Sequence, residues 1–249
     1  MPLLRRFWDS PSGTCSYLVG SDATRQAVFI DPVREQVPLY LGVLEELGLR
    51  LAGIIETHVH ADHLTAADTL RRLTGATVVC GRQSGVEGAD CLLADGDSLN
   101  FGDLAFQALS TPGHTPACLT YRWGDRLFTG DSLLISGCGR TDGPGGNAGM
   151  LFDSVTRRLL TQPDEYLVYP GHGSQQRWVS CIGEERRTNP MLLGVSRDEF
   201  IALASRRELP PLPARAETLA ANRRCGRLPE EEAEAAPESA PIPDPEESK

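Results

Sequence analysis

The chain has no CxxC pair and no stretch near the ~18 apolar residues of a membrane span. Its N-terminus carries two arginines but no apolar run of roughly 7–15 residues, so no secretion signal is read there. The seven cysteines, at positions 15, 80, 91, 118, 138, 181 and 225, are odd in number and scattered, which argues against a disulfide framework. They read as reduced thiols, and the expected location is the cytoplasm. Basic character is missing as well: a formal charge of −10 speaks against a general nucleic-acid binder or an anionic-membrane binder. Residues 229–249 hold eight acids and one lysine, so that tail accounts for −7 and the rest of the chain for only −3. No internal repeat of fixed period is present. The glycine-rich Gly143-Pro144-Gly145-Gly146 is followed by no Gly-Lys-Ser/Thr, which excludes a nucleotide cradle.

What is present is an alternation of short strands, turns and helices. Residues 14–20 and 26–31 read as a hairpin. Tyr40, Val43, Leu44 and Leu47 recur at helical spacing, with Gly48 where a helix would end. Residues 51–57 and 76–80 are apolar, β-branched runs suited to buried strands, with a helix over 65–73 between them. Residues 98–111 form a second hairpin, and 118–123 with 126–130 a third around Gly124-Asp125. Six glycines in residues 137–149 imply a loop, followed by a helix over 150–160, a strand over 166–169 and short helices over 182–187 and 196–206. The expected organisation is one α/β catalytic domain over 1–228, including a C-terminal helical segment. The tail, 229–249, is expected to be disordered.

Histidine is scarce too, and every one of the five falls in a distinctive turn. Thr57-His58-Val59-His60-Ala61-Asp62-His63 puts three imidazoles and a carboxylate just beyond a buried strand; His114 and His172 each follow a Pro-Gly pair, and Asp131 ends another strand. In α/β folds such strand ends converge on ligands. Imidazole and carboxylate suit Zn, Mn or Fe(II), and cysteine is absent from these positions, so a catalytic rather than a structural site is expected. His58 and His60 are two apart and share one side of an extended loop, while the adjacent Asp62 and His63 project differently, which gives two neighbouring pockets. Two metals bridged by Asp131 would suit hydrolysis. One metal held by two histidines and one carboxylate would leave open positions for substrate and O2.

The pattern Thr57-His58-Val59-His60-Ala61-Asp62-His63, with the later Gly113-His114, Thr129-Gly130-Asp131 and Pro170-Gly171-His172, resembles the metallo-β-lactamase superfamily over most of the chain. Glu56 before the cluster, Phe128 through Leu134, Gly137-Cys138-Gly139-Arg140-Thr141-Asp142 and Ile182 through Asn189-Pro190 look like its persulfide dioxygenase branch. The resemblance implies an αββα sandwich, two mixed sheets flanked by helices. It also implies one Fe(II) per chain held by His58, His114 and Asp131, while His60, Asp62, His63 and His172 line a second pocket that stays metal-free. By the same resemblance, glutathione persulfide or another low-molecular-weight thiol persulfide is oxidised with O2 and water to sulfite and glutathione, and a homodimer is allowed. Arg140 and Cys138 match the branch's loop near the iron. The branch often follows the last histidine with Asp-Tyr and the Asn-Pro with Arg. Here Gly173-Ser174 and Met191 stand instead, and Arg177 is the residue offered in their place. A dinuclear thioester hydrolase of the glyoxalase II kind is the alternative, and a non-catalytic metal- or thiol-binding module a third.

Overall fold

The computed structural model describes residues 3–173, 176–209, 216–229 and 231, so nearly all of the tail expected to be disordered lies outside the described residues. Strands β1 (Leu3–Trp8), β2 (Cys15–Gly20), β3 (Gln26–Ile30), β4 (Arg50–Ile55), β5 (Thr77–Gly81) and β6 (Cys91–Leu93) form one sheet in that spatial order. It is antiparallel from β1 to β3 and parallel from β3 to β6. The second sheet has the order β14-β13-β10-β9-β8-β7, built from β7 (Ser98–Phe101), β8 (Leu104–Ser110), β9 (Leu119–Trp123), β10 (Arg126–Gly130), β13 (Leu167–Pro170) and β14 (Ser180–Cys181). Its one parallel pair is β10 with β13. A two-residue ladder, β11 (Leu133–Leu134) with β12 (Gly137–Cys138), opens the glycine-rich stretch expected to be all loop.

Alternation along the strands explains the layering. In β3, Ala27 and Phe29 face Tyr40, Val43 and Leu44 of α1 (Val37–Leu47) and Leu70 of α2 (Ala67–Thr74). Val28 and Ile30 face the other way, onto Phe106, Tyr121 and Phe128 of the second sheet. In β10, Leu127 points outward to Leu151 of α3 (Ala148–Ser154), Ile182 of α4 (Ile182–Thr188) and Phe200 of α5 (Arg197–Arg206). Central strands buried on both faces read as continuous apolar runs, as residues 51–57 and 76–80 do. The result is helix, sheet, sheet, helix, the expected αββα sandwich. The helix expected over 150–160 is α3 followed by a single π turn, Val155–Leu159. A sixth helix, α6 (Ala216–Asn222), was not read from the sequence.

Two buried tyrosines stitch the sheets together at one end. Tyr17 of β2 donates to the Pro170 carbonyl at 2.7 Å, and Tyr121 of β9 donates to the Glu56 carbonyl at 3.1 Å. Burial pushes both phenols well above their ordinary range, so both remain donors. Leu119 N also bonds the Thr57 carbonyl at 2.9 Å. The end of the sandwich where the histidine turns lie is therefore the tied end.

Candidate metal centre

Four strand ends meet here. The loop leaving β4 carries His58, His60, Asp62 and His63; the β8–β9 loop carries His114; Asp131 follows β10 and His172 follows β13. Donor atoms of His58, His114 and Asp131 lie within 4.8 Å of one another, with His114 Nε2 3.6 Å from Asp131 Oδ2. The remaining ring nitrogens are engaged. His114 Nδ1 donates to the Arg140 carbonyl at 2.8 Å, since a carbonyl can only accept. Thr57 Oγ1 donates to Asp31 Oδ2 at 2.7 Å and so accepts from His58 Nδ1 at 2.9 Å. Both rings thus keep a proton on Nδ1 and turn the Nε2 lone pair toward the site, as a metal ligand requires.

Protonation suits a metal as well. Burial, reinforced by the neighbouring His60 and His114, holds His58 well below its ordinary value, so it is neutral. Burial alone would raise Asp131, but His172, His114 and His58 outweigh it and hold the carboxyl far below the usual range. Two imidazoles, each with its Nε2 available, and one carboxylate is the donor set of a non-haem Fe(II) site, and the three residues fit it. Asp131 is also closely confined. A Cβ on Gly171 would stand 2.7 Å from Asp131 Oδ1 and one on Gly139 1.9 Å from the Asp131 carbonyl.

All four residues expected in the second pocket are there: donor atoms of His60, Asp62 and His63 lie within 4.8 Å of one another, and His172 joins them through Asp62. Asp62 Oδ2 accepts from Thr14 Oγ1 at 2.9 Å and lies 3.0 Å from His63 Nδ1 and 3.1 Å from His172 Nε2. His172 Nδ1 is 2.7 Å from Asp131 Oδ1, so one imidazole spans the carboxylates of both pockets. Burial opposes its protonation, but Asp131 and Asp62 prevail and hold His172 well above its ordinary value. The same contacts with His172 and His63 overcome burial and keep Asp62 far below the carboxylate range.

His60 divides its contacts. Its Nδ1 is 3.9 Å from Asp62 Oδ1, while Nε2 turns inward to within 3.1 Å of Asp31 Oδ1 and 3.3 Å of Glu56 Oε2, out of line for a hydrogen bond to either. Against burial, the two carboxylates hold His60 well above its ordinary value. Burial in turn raises Glu56, although His60 opposes it. Sequence reasoning missed this acid pair, taking Asp31-Pro32 only as a break after a strand. It also missed Asn222. The Asn222 Nδ2 donates to the His60 and His63 carbonyls at 2.8 Å each, and Oδ1 accepts from Thr65 N at 3.0 Å, which buckles the metal loop to α6. The one signal for it is a buried-type amide at the end of a helix that was itself not foreseen.

The residues expected to touch substrate stand differently. Arg140 supports His114 through its carbonyl, and its guanidinium makes a two-point pair with Asp142 at 2.7 and 2.8 Å. Arg177 is paired with Glu184 on the exposed surface. Cys138, expected beside the substrate, is fully buried in the cluster with Leu133 and Leu151, and burial pushes its thiol up to about 12. Its side chain packs in the protein interior.

A model of the metallo-β-lactamase superfamily matches residues 11–172. Human mitochondrial persulfide dioxygenase ETHE1 is 43% identical over 227 residues, covering 90% of this chain and 89% of the relative. The crystal structure of ETHE1 from Myxococcus xanthus superposes with a TM-score of 0.88 at 49% identity, covering 90% of this chain and all of that one. TTHA1623, crystallised in a di-iron-bound form, is 31% identical with a TM-score of 0.63 and covers 76% of this chain and 100% of its own. The αββα layering, the histidine turns at four strand ends and an alignment running through nine-tenths of the chain agree: it belongs to the metallo-β-lactamase superfamily and, within it, to the persulfide dioxygenase branch.

Proposed function

We propose that the chain is an iron-dependent persulfide dioxygenase. It holds one Fe(II) with His58, His114 and Asp131 and oxidises glutathione persulfide, or another low-molecular-weight thiol persulfide. In balance, RSSH, O2 and H2O give RSH, sulfite and two protons, the terminal sulfur losing the four electrons that O2 gains. The observation that carries the reading is the two-histidine, one-carboxylate donor set in a chain of this branch. Bound Fe(II) supplies open coordination positions and redox chemistry where persulfide sulfur and O2 meet.

The chain's own residues do the rest. Thr57 and the Arg140 carbonyl keep His58 and His114 in one tautomer and one orientation. Asp131 brings a single negative charge, so Fe(II) held there would leave the site net +1, a charge that would favour a persulfide anion. His172 holds a proton against Asp131 Oδ1, which keeps that carboxylate ionised and leaves Oδ2 toward His114. Asp62 Oδ2 already faces three groups, Thr14, His63 and His172, which favours one metal over two.

A dinuclear thioester hydrolase has observations on its side as well: donor atoms of His60, Asp62 and His63 lie within 4.8 Å of one another. His63 Nε2 is buried without a hydrogen-bond partner, as a ligand to a second metal would be, and TTHA1623 was crystallised in a di-iron-bound form. Metal analysis and an oxygen electrode separate the two readings. One iron per chain, with O2 uptake matched by sulfite and lost in Asp131→Ala, is the expected result. Iron-loaded protein that takes up no O2 with glutathione persulfide overturns it, and two metals with oxygen-independent thioester hydrolysis establish the alternative. A cytoplasmic location and a homodimer belong to the same proposal; the seven unbridged cysteines support a reducing compartment. Cell fractionation and light scattering test these two points.

A further inference from the structure

A cavity of about 310 Å³ opens beside the metal centre, and His114 stands in its wall. Val59 and Pro116 make it apolar from the metal-loop and His114 side, and Leu219 of α6 closes it opposite. The Gly143-Pro144-Gly145 segment, which has no nucleotide to cradle, forms another side. The volume lies at the lower end of the ~300–1,000 Å³ usual for small-molecule sites. Among the described lining residues Arg223 is the only Lys, Arg, Asp or Glu.

Arg223 differs from the arginines singled out in the sequence. Arg140 and Arg177 are committed to Asp142 and Glu184, whereas the exposed Arg223 side chain has no hydrogen bond or ion pair among the described residues. Its backbone is held on both sides: Arg223 N bonds the Leu219 carbonyl at 3.0 Å, and Glu87 N bonds the Arg223 carbonyl at 2.6 Å. The preceding residue, Asn222, is the buckle on the His60 and His63 carbonyls. The Arg223 backbone therefore stands at a set place beside the metal loop, and its exposed side chain is left to meet a ligand in the cavity it lines.

We infer that this cavity seats the thiol carrier and that Arg223 is a specificity-determining residue, pairing with a carboxylate of an acidic carrier of glutathione size while the sulfur end lies toward His114. The inference rests on the persulfide dioxygenase reading and assigns the carrier's carboxylate end. A guanidinium meets a carboxylate with two parallel charge-assisted bonds, which a Lys can replace only in part. An uncharged carrier gains nothing from it.

The test compares glutathione persulfide with the persulfide of 2-mercaptoethanol, whose carrier has no carboxylate, using iron-loaded wild type, Arg223→Ala, Arg223→Glu and Arg223→Lys at constant ionic strength. Arg223→Ala is expected to raise KM for glutathione persulfide about tenfold with kcat within about twofold, Arg223→Glu to raise it further, and Arg223→Lys to recover part of the loss. KM for the 2-mercaptoethanol persulfide should stay within about twofold in all three. Equal KM changes for both substrates, or none for either, overturn the inference. Calorimetry with S-methylglutathione separates this from failure of the reaction itself. A Kd weakened about tenfold by Arg223→Ala upholds the carboxylate site even where no persulfide is oxidised, and an unchanged Kd refutes it.

Discussion

Replacing Gly171 by alanine tests how tightly the iron carboxylate is placed. The φ angle at Gly171 is not in the left-handed region, and the residue is tied on both sides by Gly171 N to the Gly130 carbonyl at 2.8 Å and Cys15 N to the Gly171 carbonyl at 2.7 Å. An alanine is thus free of backbone strain but unable to withdraw. Its Cβ would stand 2.7 Å from Asp131 Oδ1 and 3.0 Å from the Gly130 carbonyl carbon. Ordinary contact begins near 3.4 Å, so the carboxylate must recede by about 0.7 Å, and it is the same oxygen that faces His172 Nδ1. Overpacking of this kind costs about 1–3 kcal/mol of stability. A displacement of ~1 Å at a reacting centre costs about 100-fold in rate, so kcat/KM should fall about 10–100-fold. The assay is oxygen uptake at saturating iron, with iron per chain after dialysis and urea unfolding measured on the same samples. Gly171→Ala that retains iron and turns over within twofold of wild type refutes the confinement argument, whatever its stability.

Gly42→Ala is the matched control: Gly42 lies inside α1 with no atom within 4 Å of an added Cβ, so the variant should be about 0.5–1 kcal/mol more stable in urea with unchanged oxygen uptake. Asn222→Ala leaves the His60 and His63 carbonyls and Thr65 N without their partner, which at about 1–3 kcal/mol per orphaned group predicts a loss of about 3 kcal/mol or more and faster iron release; a loss below ~1 kcal/mol contradicts the buckle. His172 is raised in the folded protein, so in metal-free chain its stabilising contribution is complete below an unfolded value of ~6.5 and is lost as pH rises through the folded value. The stability gap between wild type and His172→Gln should therefore narrow from pH 5 to 9 in urea unfolding; a gap that widens is inconsistent with the ion pair. Cys138, pushed up to about 12 by burial, should stay unmodified by iodoacetamide at pH 8 in the native protein while the partly exposed Cys91 and Cys181 react, as peptide mapping would report.

The parts of this fold that were legible are those buried on two sides. β3, β4, β5 and β10 are central strands whose both faces need apolar side chains, and such runs stand out in a sequence. Of the unforeseen strands, β1, β6 and β14 are edges of the two large sheets, and β11 and β12 form a ladder of their own. In the large sheets, Arg5 and Arg6 interrupt β1, and β6 and β14 are only three and two residues long, as protected edges tend to be. The histidine turns and Asp131 could be picked out because histidine is scarce here and each lies just beyond a strand, whereas the selection of His58, His114 and Asp131 as one donor set comes from the family resemblance. The orientation of His60 could not be read, since two-residue spacing says only that it shares a side with His58. What draws it inward is Asp31 and Glu56, one of them from a different strand end. Asn222 and Arg223 lie in a polar stretch like many others, and only the folded chain shows that one grips the metal loop and the other overlooks the cavity.

The Asn222 buckle also sets an order in time. Asn222 follows His63 by 159 residues. At ~5–20 residues synthesised per second, the loop bearing His58, His60, Asp62 and His63 exists for roughly 8–30 s before the side chain that ties its carbonyls has been made. His114, Asp131 and His172 emerge within that interval, one strand end at a time. On the ribosome, then, the first part of the metal centre to be made is the last to be fastened.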